Sequence, residues 1–141
     1  MERTSIEIRF TDVDSQDHVN HTAIVEWIAH ARVKLIDGKV NQYGHGRWDA
    51  VPYVPELDHV LVNLKVNFHK EVFYPGTVEV AGRVHDVGNK SVTTVIFVYS
   101  DGKVVAEAQC INVFFRTSTK KSVDIPDKLN DILWKKTGSN K

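Results

Sequence analysis

The sequence has little that would direct the chain to a membrane, a nucleic acid or an oxidising compartment. Its 141 residues include one cysteine, Cys110, which excludes an internal disulfide, and its 18 basic and 18 acidic side chains give a formal net charge of zero. A neutral chain provides no overall field to steer it onto nucleic acid or an anionic membrane. No apolar run reaches the roughly 20 residues of a transmembrane helix, and the N-terminus lacks the apolar core of a secretory signal. We therefore expect a cytoplasmic protein without nucleic-acid partners or membrane insertion.

The sequence also lacks internal repeats, low-complexity segments and any change of composition that would mark a second domain. With 42% hydrophobic residues, a chain of this length can bury the core of one compact unit. We therefore predict a single domain that spans residues 1–141.

The stretch from Ile8 to His21 stands out instead, because it concentrates carboxylates, amides and imidazoles in one short segment. The spacing of its side chains resembles that of a calcium loop, but Asp17 stands where such a loop needs Gly and Ala23 where it needs Glu. His18 and His21 have no second His or Cys pair at ligand spacing, which argues against zinc. We predict no metal site.

This segment lies between a predicted strand and a predicted helix. Apolar residues at positions 6, 8 and 10 alternate with polar ones, which is the period of a strand with one buried face, and Asp12 and Asp14 continue the buried phase. Residues 23–35 are apolar almost all round, which predicts a buried helix with Asn20 as its N-cap. The glycines at 38 and 44 predict that this helix ends near residue 37 or residue 43.

The placement of the acidic segment has a chemical consequence. A helix N-terminus offers unpaired N–H groups and the positive end of a dipole, so it keeps a neighbouring carboxylate ionised and can bind an oxyanion. A base and an oxyanion site would then lie side by side, as a reaction centre requires. Asp, Ser, Gln and Asn are also common before helices as turn formers and caps, so the residues alone leave that simpler interpretation open.

Four more strands are predicted downstream: one from residue 58 to an end near residues 73–76, and three over residues 77–87, 91–99 and 103–115, with hairpin turns at 86–90 and 100–103. Residues 47–55 form a predicted irregular connection that could cover a pocket, and residues 125–134 a short helix with Pro126 near its start. One long apolar helix and these strands bury each other best when the sheet wraps around the helix. The predicted fold is therefore α+β and hotdog-like, with an antiparallel sheet of about five strands around one central helix.

At this point a family resemblance can be stated. Phe10-Thr11-Asp12-Val13-Asp14 with His18-Val19-Asn20, followed by Trp27-Ile28 and Ala31-Arg32, resembles the hotdog-fold acyl-CoA thioesterases of the 4-hydroxybenzoyl-CoA thioesterase type. The resemblance spans nearly the whole chain and includes Pro75-Gly76, Gly88-Asn89-Lys90-Ser91 and Asp124-Ile125-Pro126. It implies a thioester hydrolase that acts on acyl-CoA, needs no cofactor beyond the coenzyme A of its substrate, and assembles as a homodimer or homotetramer with active sites between subunits.

The resemblance also implies roles for particular residues. Asp14 matches the second aspartate of the family's Asp-x-Asp signature, which acts as nucleophile or general base towards the thioester. The run from Asp14 through Gln16 and His18 to Asn20 is similar to a segment of plant acyl-carrier-protein thioesterases in which Asn and His position substrate and water, with Gln16 in place of that Asn. The matching helix start makes the backbone N–H near His21 the oxyanion donor.

Coenzyme A binding is implied at a second place. In the family, the hairpin after the crossing strand lies near the coenzyme A phosphates, which makes Lys90 and Ser91 the candidate contacts. By the same comparison, Asp12 has an orienting or capping role and is not the reacting group. The acyl group, and the choice between coenzyme A and an acyl carrier protein, are left open.

The chain departs from the family pattern at three places. Asp17 stands where many relatives have Gly, and His21 and Ile24 stand where they often have Asn and an aromatic residue, so the mouth of the pocket is expected to differ in shape. His30 replaces a usual Glu, while Glu26 lies one turn earlier, and this i, i+4 spacing predicts a Glu26–His30 pair.

Two alternatives to a thioesterase remain open. Phe73-Tyr74-Pro75-Gly76 resembles the His-x-x-Pro-Gly pattern of acyl-thioester hydratases and dehydratases, but it lacks the catalytic His. A non-catalytic acyl-CoA-binding protein would show departures such as Asp17, Ile24 and His30, although Asp14, His18 and Asn20 are all present.

Overall fold

A computed structural model describes residues 1–43 and 56–134, except for the side chains of residues 41–43. Its elements in chain order are β1 (Arg3–Glu7), a 3-10 turn (Phe10–Asp12), α1 (His21–Tyr43), β2 (Leu57–Phe68), β3 (Thr77–Val87), β4 (Ser91–Ser100), β5 (Lys103–Arg116) and α2 (Asp127–Trp134). The predicted connection at residues 47–55 lies outside the described residues.

The five strands form one antiparallel sheet in the order β1-β3-β4-β5-β2, and α1 packs against its central strands β3, β4 and β5. The predicted α+β architecture is therefore confirmed. The turn between β4 and β5 has positive φ at both Asp101 (53°) and Gly102 (77°), as a tight hairpin turn requires. The prediction of α2 is also confirmed, since Leu129 and Leu133 are fully buried on its inner face.

The core lies between α1 and the sheet. Trp27 and Ile28 pack with residues of the middle strands such as Ile96 and Cys110. Further along α1, Ile36 and Val40 form a second cluster with residues of β5 and α2. The prediction that α1 is buried almost all round is wrong. Only one face of the helix is buried, since Glu26, His30 and Val33 are exposed. The N-terminal and C-terminal halves of α1 thus pack into two different clusters of the core.

The first strand is shorter than predicted. β1 ends at Glu7 and a 3-10 turn follows at Phe10–Asp12, so the alternation of a strand does not continue: Phe10 is 78% exposed while Ile8 and Asp12 are buried. The expected burial of Asp14 is wrong for the same reason, because its side chain is exposed.

β2 also departs from its prediction, since it ends at Phe68 and not near residues 73–76. A bulge in its pairing with β5 between Leu61 and Asn63 shifts the alternation by one residue. Leu61 and Val66 therefore pack against the core, while Val60 and Val62 are 49% and 58% exposed. The apolar face predicted from simple alternation is thus divided between the two sides of the sheet.

Candidate active site

A cleft of about 460 Å³ lies where the acidic segment meets the start of α1 and the connection between β2 and β3. Two isolated antiparallel bridges hold the segments beside it, one between Val13 and Val19 and one between His18 and Phe73. The site residues that line it are Asp14, His18, Asn20 and His21, together with Phe68 and Glu71.

The loop that carries Asp14 is held by its own backbone. The Asp14 N–H donates to the carbonyl oxygen of His18 at 2.8 Å. Asp14 Oδ1 in turn accepts from the N–H groups of Gln16 (2.9 Å) and His18 (3.1 Å), which fixes the direction of the carboxylate. Asp17 has φ of 65°, a left-handed conformation that aspartate tolerates better than most residues, so the loop keeps its shape without the glycine of the relatives. Gln16 contributes its backbone N–H to this loop, and its side chain is exposed.

His18 is held by groups distant in sequence. Its Nδ1 lies 2.8 Å from Glu71 Oε2, and its ring meets the Phe73 ring edge-on, with centroids 4.9 Å apart. The side chain is 26% exposed, so it is open to the cleft without being fully solvated. Glu71 was missed by the sequence analysis, because no local pattern marks it; the pairing of residue 18 with residue 73 brings it to the site.

The start of α1 supplies unpaired donors. Asn20 Oδ1 accepts from the Ala23 N–H at 2.9 Å, which confirms Asn20 as the N-cap. Among the described residues, the N–H groups of His21 and Thr22 have no hydrogen-bond acceptor, as is usual in a first helical turn. The His21 ring stacks on Phe68 with centroids 3.8 Å apart and planes 7° from parallel. The two stacked rings form part of the cleft wall.

Asp12 stabilises the loop from its buried side. Its carboxylate accepts from the Arg9 N–H (2.8 Å) and from the Arg9 guanidinium Nη2 (2.8 Å), and its carbonyl oxygen accepts from the Asn20 N–H. Burial acts to raise the pKa of Asp12, but the hydrogen bonds and charge of Arg9 outweigh it and lower that pKa. This geometry supports the orienting role expected of Asp12.

The predicted Glu26–His30 pair is wrong. Glu26 Oε1 instead accepts from Arg9 Nη2 at 3.1 Å. Arg9 precedes the loop and faces the start of α1, so it reaches Glu26 while also binding Asp12. His30 remains an exposed residue of α1.

Lys90 and Ser91 are not brought to the cleft within one chain. They lie at the end of β3 and start of β4, whereas the cleft lies near the start of β3, and 11 extended residues span about 35 Å. Lys90 Nζ binds Asp124 Oδ1 at 2.7 Å. If these residues contact a ligand in the cleft, they must do so from a second copy of the chain.

Within residues 1–43 and 56–134, no three acidic, His or Cys side chains are grouped so that they could hold a metal ion. No helix in the same part of the chain is long and apolar enough to cross a membrane.

A single antiparallel sheet wrapped around one long helix, with a polar cleft at the helix N-terminus, defines a hotdog-fold protein. The chain belongs to the Thioesterase-like superfamily, whose sequence model matches residues 8–133. The narrower 4-hydroxybenzoyl-CoA thioesterase type stays a prediction. A search of curated proteins gave no match.

Several solved structures share this fold at low sequence identity. The chain is similar to a probable thioesterase from Escherichia coli (TM-score 0.76, 20% identity, 94% of this chain and 96% of that chain covered). It is similar to a thioesterase from Thermus thermophilus in complex with coenzyme A and zinc (TM-score 0.74, 18% identity, 93% and 90% covered). A DHNA-CoA thioesterase from Staphylococcus aureus is also similar (TM-score 0.72, 20% identity, 92% and 83% covered).

Proposed function

We propose that this protein is an acyl-CoA thioesterase that hydrolyses the thioester with Asp14 as nucleophile or general base. One observation carries the proposal: the cleft brings the Asp14 carboxylate and the His18 ring together with the unpaired N–H groups at the start of α1. Membership of the Thioesterase-like superfamily supports it at the level of reaction class.

The residues divide the chemistry between them. The N–H groups of His21 and Thr22 bind the carbonyl oxygen and stabilise the negative charge that develops on it. Asp14 either attacks the carbonyl carbon, forming an anhydride that water then hydrolyses, or takes a proton from the attacking water. In both routes the C–S bond breaks, the thiolate leaves as coenzyme A, and His18 holds substrate or water by a hydrogen bond.

Coenzyme A enters as part of the substrate, and no separate cofactor is needed. The Thermus thermophilus structure in complex with coenzyme A supports this choice of carrier. The distance of Lys90 and Ser91 from the cleft favours a homodimer or homotetramer, in which the hairpin of one protomer reaches the coenzyme A bound by its partner. The protein would act in the cytoplasm, where acyl-CoA is available.

The direct test is thiol release from short, long and aromatic acyl-CoA substrates, measured with the wild type and Asp14→Asn. This near-isosteric change removes the charge, and we expect kcat to fall about 10²- to 10⁴-fold. Asp17→Asn is the matched control, because it removes a charge from the same loop at a residue whose left-handed φ asparagine also tolerates; its kcat should stay within about threefold.

Each other result has a definite meaning. Equal turnover by wild type and Asp14→Asn would refute the role of Asp14. Hydration of an enoyl thioester without thiol release would identify a hydratase. Tight acyl-CoA binding with no turnover on any substrate would identify a non-catalytic binding protein.

A further inference from the structure

The contact between His18 and Glu71 joins the sequence motif to a residue outside it. Glu71 lies in the connection between β2 and β3, three residues after the end of β2 at Phe68. Its Oε2 lies 2.8 Å from His18 Nδ1, the separation of an ion pair. Both residues line the cleft.

Three contacts together fix the position of His18. Its backbone N–H donates to Asp14 Oδ1, its Nδ1 lies in ion-pair contact with Glu71, and its ring packs edge-on against Phe73. A carboxylate attracts a proton and repels a lone pair on a ring nitrogen this close, so Nδ1 carries the proton when the ring is neutral. Nε2 then keeps its lone pair, and among the described residues it has no partner.

We infer that Glu71 is a positioning residue that acts through His18, an inference that rests on the proposed thioesterase function. By holding the proton on Nδ1, Glu71 leaves Nε2 as an acceptor in the cleft. Nε2 then accepts a hydrogen bond from the water that hydrolyses the acyl group and aims its oxygen at the carbonyl carbon. Without Glu71 the ring can turn and can place its proton on Nε2, which would offer that water a donor instead of an acceptor.

The expected effect is moderate. The Glu71 side chain is 62% exposed, so water screens its charge and competes for its oxygens. We expect Glu71→Ala to lower kcat about 5- to 20-fold while KM changes less than about twofold, because the contact orients a reacting group rather than binding substrate.

The experiment compares Glu71→Ala and Glu71→Gln with Glu107→Gln in the full-length protein. Glutamine keeps an acceptor oxygen for Nδ1, so Glu71→Gln should retain most of the activity that Glu71→Ala loses. Glu107 is the matched control, because it pairs with His69 Nε2 at the same 2.8 Å separation but does not contact His18; its kcat should be unchanged.

A spectroscopic measurement tests the same inference without turnover. The ¹⁵N shifts of the His18 ring, identified by their loss in His18→Gln, report which nitrogen carries the proton at alkaline pH, where histidine is neutral. We expect the Nδ1–H form in the wild type and a shift towards the Nε2–H form in Glu71→Ala.

The outcomes are distinguishable. A changed His18 tautomer together with the fall in kcat supports the inference. An Nε2–H tautomer in the wild type, no tautomer change in Glu71→Ala, or a loss of kcat no greater than in Glu107→Gln would overturn it. If the tautomer changes in Glu71→Ala but the protein cleaves no thioester, the proposed function and the catalytic part of the inference are refuted, while the effect of Glu71 on the His18 tautomer stands.

Discussion

At the scale of single residues, two aspartates of one short segment have different environments. Asp12 is 2% exposed and bound by Arg9, whereas Asp14 is exposed, with its carboxylate fixed by two N–H groups of its own loop. A buried, paired carboxylate stabilises the loop, and an accessible one with a fixed direction can react. The positions in sequence predicted both residues as important, but only the three-dimensional contacts separate their roles.

Asp12 leads to a prediction about stability and pH. Its folded pKa lies below the unfolded value of about 3.9, so its ionised form stabilises the fold above that value, and this contribution is lost as pH falls through the folded pKa. Asp12→Asn should lower the free energy of unfolding by about 1–3 kcal/mol at pH 7. The difference from wild type should shrink as pH falls below about 4.

Urea unfolding of both proteins across this pH range measures the effect. Glu26→Gln is the control, because Glu26 binds the same guanidinium from an exposed position, and it should change stability little. A difference between Asp12→Asn and wild type that stays constant down to about pH 2 would contradict the assigned pKa direction.

At the scale of elements, two glycines with different surroundings test the helix and the sheet. Gly38 lies inside α1 on its exposed side, and an added Cβ would contact nothing within 4 Å. Gly82 lies in β3 under α1, where an added Cβ would come within 2.5 Å of Ile96 Cδ1. Ile96 is fully buried, so its Cδ1 can make room only by shifting within the packed core.

The two substitutions should therefore have opposite signs. Gly38→Ala should stabilise the protein by about 0.5–1 kcal/mol through helix propensity, and Gly82→Ala should destabilise it by about 1–3 kcal/mol through overpacking. Chemical denaturation of both variants gives the values. Destabilisation by Gly38→Ala would show that α1 is not regular at that position.

At the scale of the whole molecule, β2 is an edge strand of the sheet formed by the described residues. Val60 and Val62 are exposed there and, with Val113 and Phe115, line an apolar groove of about 320 Å³. An edge strand beside an exposed apolar groove favours association with another chain. We predict a homodimer or homotetramer, as the resemblance implies.

Sedimentation equilibrium of wild type and Val62→Lys tests this prediction. The wild type should have the mass of two or four chains. The dissociation constant of Val62→Lys should be at least about tenfold higher, because burying an unpaired ammonium in the interface is unfavourable. Val104→Lys, at an exposed strand position on β5, should assemble as wild type. A monomeric wild type would refute the prediction.

Much of this structure followed from local sequence signals. The strands from residue 77 to residue 116, their hairpin turns and the N-cap at Asn20 depend on side-chain alternation, turn residues and capping, all of which act over a few residues. The acidic segment at the start of α1 was likewise identifiable, because a motif and a helix N-terminus coincide there.

The tertiary structure decided the features that depend on distant pairing. The bulge in β2 follows from its pairing with β5, and the contacts of Glu71 with His18 and of Glu26 with Arg9 join segments that the sheet and α1 bring together. The sequence by itself determined the elements and the residue types available for chemistry. Which carboxylate is buried, which one holds the histidine and which apolar side chains remain exposed were decided by packing, since these depend on contacts that no local pattern encodes.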